Sequence, residues 1–463
     1  MSFELYEYKI EDLGKVITGK TPPSKISDAF SAQGIPFVTP KDMDGRRLID
    51  KTERYLSSQG IEAVRNCLLP QNSIAVSCIG SDMGKAVLLP GESITNQQIN
   101  SIVVDSKRFD YKYVYYYLST LQDEFKAISG GSATPILNKG HFSQFKVSLP
   151  IRPVQDKISL ILDSLDAKIE VNTEINQTLE QMAQVLFKSW FVDFEPVKAK
   201  IAVLEAGGSQ EDATLAAMTA ISGKDANALV VFEREHPEYY AELKTTAELF
   251  PSAMQEGALG ATPTGWKLGC IGDISHRIRT KVGSTSAVVL SAIASGDLVP
   301  SDEHFTKQVY SKSIEKYILV EQWSFAYNPS RINIGSIGLN VRNVNGAVSP
   351  VYVVFKTEQE YKWYVEILTK TTYFKNNVNI LASGSVRQSL SYDDLSSIPL
   401  CIPDVSIVNV FNEKYEGYLT FIEQYRNQNN TLISIRDTLL PKLLSGEITL
   451  PEAEQAVSEA ENV

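Results

Sequence analysis

A chain of 463 residues with 43% hydrophobic and 21% charged residues has the length for several domains and a composition unlike that of disordered or fibrous proteins. Its formal net charge of −11 argues at first sight against a polyanionic partner. The charge is unevenly spread: residues 1–150 sum to +1, 151–265 to −9, 266–403 to +3 and 404–463 to −6, so such a partner stays allowed at the two near-neutral segments.

Residues 1–150 read as mixed α/β. Short β-rich runs (IPFVTP, NSIAVSCIG, KAVLLP, INSIVVD) alternate with turn signals, and DYKYVYYYLSTLQDEFKAI is predicted helical. Several loops combine glycine, small polar residues and a cation: Thr18-Gly19-Lys20-Thr21, Ile79 to Lys85, and Ser129 to Thr134. Loops of this kind bring backbone N–H groups and a lysine to phosphate oxygens, and they serve equally as plain turns. Thr95 to Asn100 (TNQQIN) sets adjacent amides beside a predicted strand. Such amides pair with adenine edges, or bridge backbone groups inside a domain.

From Val154 to Phe191 apolar residues recur at two positions in seven, without glycine or proline after Val154. One seam is Ile158, Leu165, Asn172, Leu179 and Leu186; its companion is Ile161, Lys168, Ile175 and Met182. Four such heptads predict one helix of roughly 55 Å with a coiled-coil seam. An aromatic exit, Ser189-Trp190-Phe191, follows, and residues 197–265 read as an acidic, solvated, partly helical linker ending in Thr262-Pro263-Thr264-Gly265.

The plan then repeats. A shift of 253 carries Leu137 onto Leu390, Gly131 onto Gly384, Pro150 onto Pro403 and Asn176 onto Asn429. It also predicts a second long helix with seam Phe411, Tyr418, Tyr425, Leu432 and Leu439, and companions Phe421 and Ile435. A shift of 251 carries Ser73-Ile74-Ala75 onto Ser324-Phe325-Ala326 and Gly84 onto Gly335, while Tyr8-Lys9 falls near Trp266-Lys267. A unit of about 190 residues is thus written twice, which favours a pseudo-two-fold arrangement. Counterpart loops keep their places but not their chemistry; the second copy carries Arg277, Arg279, Lys281, Asn328 to Gly335, and Ser383 to Gln388. A short acidic tail, 447–463, closes the chain.

Enzyme chemistry is nearly absent. His141, His236, His276 and His304 have no metal spacing, and Cys67, Cys78, Cys270 and Cys401 lie singly, without a zinc or disulfide framework. GSDMGKA lacks the spacing and hydroxyl of a nucleotide P-loop, and Asn328-Pro329-Ser330-Arg331 has no glycine-rich cofactor loop beside it. No signal-peptide layout or membrane-length apolar run occurs, so a cytoplasmic chain is expected.

Apart from the spacer at about 197–258 and the acidic tail, the chain resembles the DNA-specificity subunits of type I restriction–modification enzymes. The resemblance rests on QTLEQMAQVLFKSWFVDFEPV after the first helix, TLLPKLLSGEI after the second, and TPTGW before the second half. SCIGSDMGKAVLL, TNQQIN and ATPILNKGHFSQFKVSLPI add to it. It implies an α/β (α+β) fold with two target-recognition domains, 1–150 and 266–403, each reading half of a bipartite asymmetric site in double-stranded DNA. Two antiparallel helices, 151–196 and 404–446, would set the distance between the halves. It further implies that the chain is non-catalytic and holds no cofactor. Two methylation subunits would bring S-adenosylmethionine, and two motor-nuclease subunits ATP and Mg. DNA contacts are then expected at Lys20, Thr21, Lys41, Ser77, Lys85, Asn96, Gln97, Gln98 and Lys139, and at Arg277, Arg279, Lys281, Asn328, Arg331, Asn333, Arg387 and Gln388. The competing expectation is a coiled-coil interaction scaffold that reads no DNA.

Overall fold

The computed structural model describes residues 3–128, 136–305, 310–311, 313–382 and 389–461. Contacts divide the chain into two compact units, residues 1–174 with 424–463, and residues 175–423.

In the first unit an antiparallel sheet of four strands runs in the order Gly14–Thr18, Ile99–Val104, Ser73–Ser77, Ala86–Leu89. Ser73–Ser77 is buried on both faces, which is why it is uniformly apolar or small. Its alternation serves two cores: Ile74 and Val76 pack with Ile102 and Tyr113, and Ala75 packs with Phe37 and Val87. A second sheet runs Phe30–Ser31, Tyr55–Leu56, Ile35–Val38, Ile94–Thr95, with the last two parallel. A ribbon of Tyr6–Lys9 and Lys146–Leu149 completes the set. The predicted helix from residue 110 is broken into Tyr111–Ser119 and Gln122–Ile128.

The second unit repeats the first sheet and the ribbon, and its second sheet keeps one parallel pair but at the middle of the order. Its first sheet runs Ser275–Ile278, Val353–Thr357, Ser324–Tyr327, Ile337–Leu339, and its ribbon pairs Lys267–Cys270 with Pro399–Ile402. Its second sheet runs Leu298–Pro300, Val288–Ala292, Gly346–Val348, Ile318–Val320. The register corrects the alignment of the N-terminal strands. Tyr6 faces Leu149 as Lys267 faces Ile402, and Gly14 faces Val104 as Ser275 faces Thr357. Tyr6 therefore corresponds to Lys267, three residues from the alignment by sequence; the ladder, unlike a short motif, fixes every residue of a strand at once.

The long helices are Arg152–Phe191, of 40 residues, and Val405–Ser445, of 41. In the first unit they run antiparallel, since Asn172 meets Asn429 while Asp166, earlier in the chain, meets Arg436. Ile158, Ile161, Leu165, Asn172, Phe411, Leu432 and Leu439 are buried as the seam predicts. Leu179, Leu186, Tyr418 and Tyr425 are only half-buried, and Lys168 is exposed. Met182 is 46% exposed and Phe421 53%, while Ala183, Phe187, Trp190 and Ile422 are buried in their place. A straight helix drifts about 20° per heptad from a 3.5-residue repeat, so after three heptads the inward residue is one place further on.

The linker is more than a solvated tether. Glu195–Glu205, Gln210–Ser222, Ala226–Glu235 and Pro237–Leu249 are four helices. The last three share a small core of Ala217, Met218, Leu229 and Ala247. Val197 and Phe250 pack beside Trp190 and Trp266, and the Lys200 ammonium, 2% exposed, donates to the Phe250 carbonyl at 2.6 Å. The tail is likewise folded. Gly446, at φ 75°, ends the second long helix, Thr449 and Glu452 form a cap, and Leu450–Glu461 buries Ala453 and Val457 in the first unit. Acidic composition hid the apolar stripe in both segments. Among the described residues no helix is long and apolar enough to cross a membrane.

Candidate nucleic-acid interface

In the first unit, strands 14–18, 35–38, 73–77 and 94–95 all finish at one end of the two sheets, so their following loops lie together. Backbone bonds tie these loops: Lys20 N–H donates to the Thr95 carbonyl, Asn96 N–H to Val38, and Cys78 N–H to Gln98. Gly19 is required there because a Cβ would lie 2.2 Å from the Asn96 carbonyl oxygen. Thr21 Oγ1 donates to Gln97 Oε1 at 2.7 Å, joining two of the predicted residues. Lys85 Nζ lies 3.1 Å from Asp82 and donates to the Met43 carbonyl at 3.3 Å, which puts it beside the loop carrying Lys41. Lys139 begins a short helix capped by Asn138, whose neighbour Leu137 donates to the Cys78 carbonyl. Burial pushes the Cys67 thiol above its ordinary pKa, with the positive charges of Lys20 and Lys139 opposing the rise.

Lys20, Lys41, Gln97 and Lys139 are exposed, and Thr21, Lys85 and Gln98 are half-exposed. Two expected contacts do not reach the surface. Ser77 is fully buried in a central strand, where alternation points its side chain inward. Asn96 is 9% exposed and is spent locally, accepting from Gln98 N–H at 3.0 Å and donating to Gln98 Oε1 at 3.2 Å. Of the two roles open to these amides, Asn96 takes the structural one.

The second unit builds its counterpart from other residues. Arg279 and Lys281 follow strand 275–278 and are exposed, as are Arg277, Arg331 and Asn333. Asn328 accepts from Ser330 N–H at 3.1 Å, turning the loop that Gly335 closes at φ 91°. Gly84 closes the first unit's loop at φ 87°. Leu390 N–H donates to the Pro329 carbonyl, the repeat of the bond from Leu137 to Cys78. Burial pushes the Tyr327 hydroxyl above its ordinary pKa with Arg277 opposing, and that hydroxyl donates to the Leu390 carbonyl at 3.2 Å. Tyr327, the 328–335 loop and Leu390 therefore form one neighbourhood. Arg387 and Gln388 lie outside the described residues, as does the 129–134 loop.

Sequence reasoning missed Arg47. Its guanidinium meets Asp163 at 2.6 Å and Glu170 at 3.2 Å on the first long helix and donates to the Tyr116 hydroxyl at 3.2 Å. Lys112 bonds the same Asp163, so the sheet domain is tied to its helix through two cations. Partners this far apart in the chain leave no local pattern.

Comparison with known proteins agrees with this architecture. Residues 4–181 match the type I restriction modification DNA specificity domain. The HindI specificity subunit of Haemophilus influenzae is 33% identical over 345 residues, covering 70% of this chain and 74% of that protein. The MjaIX specificity subunit of Methanocaldococcus jannaschii is 23% identical over 465 residues, covering 96% and 93%. The crystal structure of the type I restriction–modification S subunit from M. genitalium aligns over 96% of both chains with a TM-score of 0.50 and 12% identity, a likeness of fold. With its doubled α/β plan and paired long helices, the chain belongs to the family of type I restriction–modification specificity subunits.

Proposed function

We propose that this chain reads a bipartite, asymmetric DNA site, one half through the domain at 1–150 and the other through the domain at 266–403. One observation carries the reading: a single fold occurs twice, and each copy gathers exposed cations and amides at the same end of its sheets with different chemistry. Cations on phosphates position such a face, and amide and guanidinium groups on base edges specify it. Lys20, Lys41, Lys85, Lys139, Arg279 and Lys281 are assigned to phosphates. Thr21, Gln97, Gln98, Arg277, Asn328, Arg331 and Asn333 are assigned to base edges, together with Arg387 and Gln388.

The segments 151–196 and 404–446 act as the spacer between half-sites, with 197–265 and 447–463 as accessory segments. Two methylation subunits, using S-adenosylmethionine, and two motor-nuclease subunits, using ATP and Mg, assemble with the chain in the cytoplasm. Exposed apolar residues on the first long helix, Leu160, Val171, Met182 and Val185, support docking of such partners there. The test is genome-wide mapping of adenine methylation in cells carrying the methylation subunit with and without this chain. A bipartite motif present only with the chain is expected. No motif from an assembled, active complex would favour a scaffold that reads no DNA.

A further inference from the structure

The first unit places a polar layer inside its helix pair. Asn172 is 0% exposed, and its Nδ2 donates to Gln428 Oε1 at 2.8 Å and to Asn429 Oδ1 at 2.9 Å. Asn429 Nδ2 returns bonds to the Ile169 carbonyl at 3.3 Å and to Thr173 Oγ1 at 3.2 Å. Asn172 Oδ1 has no hydrogen-bond partner among the described residues. Less than two turns away, Arg436 Nη1 donates to Asp166 Oδ1 at 2.8 Å, and Asp166 also accepts from the Tyr116 hydroxyl at 2.6 Å. On one side the neighbouring seam residues Leu165, Leu432 and Leu439 are apolar.

Apolar layers do not select a register, because leucine against leucine packs equally after a slide of one heptad. Amides do select one. Sliding the helices by seven residues, about 10 Å, would set the buried Asn172 against Phe421 and Ile422 or against Ile435 and Arg436, and would take the half-buried Gln428 and Asn429 away from it. It would also part Arg436 from Asp166. A buried amide stripped of its partners carries its full desolvation cost, so registers that part Asn172 from Gln428 and Asn429 are penalised. A layer kept only for stability would be better made of leucine. We infer that the amide layer of Asn172, Gln428 and Asn429, backed by the Asp166–Arg436 pair, locks the helix register and thereby restricts the enzyme to one spacing between half-sites. The inference rests on the reading of the helices as a spacer. A slide of about 10 Å corresponds to about three base pairs.

The test uses the full chain with its methylation subunit, comparing wild type, Asn172→Leu, and the triple variant Asn172→Leu, Gln428→Leu, Asn429→Leu. The single variant should unfold at a lower temperature, because the half-buried Gln428 Oε1 and Asn429 Oδ1 lose the donor they share. The triple variant should unfold no lower than wild type and should methylate sites at two or more spacings differing by about three base pairs. A triple variant that fails to fold, or that methylates only the wild-type spacing, overturns the register lock. Absence of any bipartite motif with wild type would instead strike the underlying reading, and the inference would fall with it.

Discussion

Gln97 and Thr21 are bonded to each other on one exposed loop surface, and Lys20 stands beside them, yet the three report different things. Replacing Gln97 by Ala should cost about 1–3 kcal/mol at a single base pair and relax specificity there, read by competition binding against a set of single-base variants. Replacing Lys20 by Ala should weaken all sequences alike and lower the salt slope of binding by about one. Glycines 84 and 335 make a matched pair of a different kind. A Cβ on Gly84 would lie 2.8 Å from Gln122 Cα, and one on Gly335 2.5 Å from the Ala294 carbonyl oxygen, both at positive φ. Gly84→Ala and Gly335→Ala should each cost about 1–2 kcal/mol or more in thermal or chemical unfolding. The loop positions of these cations and glycines were legible because charge and glycine mark exposed turns in a sequence. Ser77 and Asn96 were misread because a hydroxyl or an amide looks the same in sequence whether it faces solvent or closes a turn.

The helices were legible for another reason: periodicity sustained over four heptads outlasts any local accident. What the heptad template missed is cumulative drift, which left Met182 and Phe421 outside and drew Phe187 and Ile422 in. Leu432→Ala should cost about 2–5 kcal/mol of the first unit's stability, whereas Phe421→Ala should cost far less, a contrast that denaturant titration can measure. The docking of the first domain on its helix makes a pH prediction. Burial works to raise the Asp163 carboxyl, but bonds from Lys112 and Arg47 outweigh it, and its pKa lies below the ordinary carboxylate value. A carboxylate with a depressed folded pKa contributes stability above its unfolded pKa, near 4, and that contribution fades as pH falls through the lower folded value. Stability measured from pH 6 to pH 2 should therefore drop below about pH 4, and Asp163→Asn should flatten part of that drop. Nothing in the sequence announces this weld, since charge pairing across the fold has no period.

At the scale of the molecule the duplication was visible from matched residues, while the strand order was not: among the described residues ten short strands in each copy, in two sheets of four and a ribbon of two, admit many pairings that only packing decides. The spacer reading makes one demand here. Adding equal numbers of residues to both long helices should lengthen the preferred gap between methylated half-sites, by about 1.5 Å of helix per residue. Methylation mapping of such variants would show it, and an unchanged gap would count against it.

Neither compact unit is one repeat. The first unit takes residues up to 174 from one copy and closes with residues 424–463 of the other, and the second unit is completed in the opposite sense. A single copy, residues 1–196, is thus left with a seam open from Ile158 to Asn172, where Leu432 and Leu439 would have lain. Its own distal half, Leu179 to Trp190, is the counterpart of what it lacks. Two such fragments can each donate that half to the other, forming a self-complementary homodimer through an isologous contact. Sedimentation should then find a dimer, and the DNA it directs to methylation should carry an inverted repeat of the first half-site. An asymmetric address would have become a palindrome without the change of a single base-reading residue.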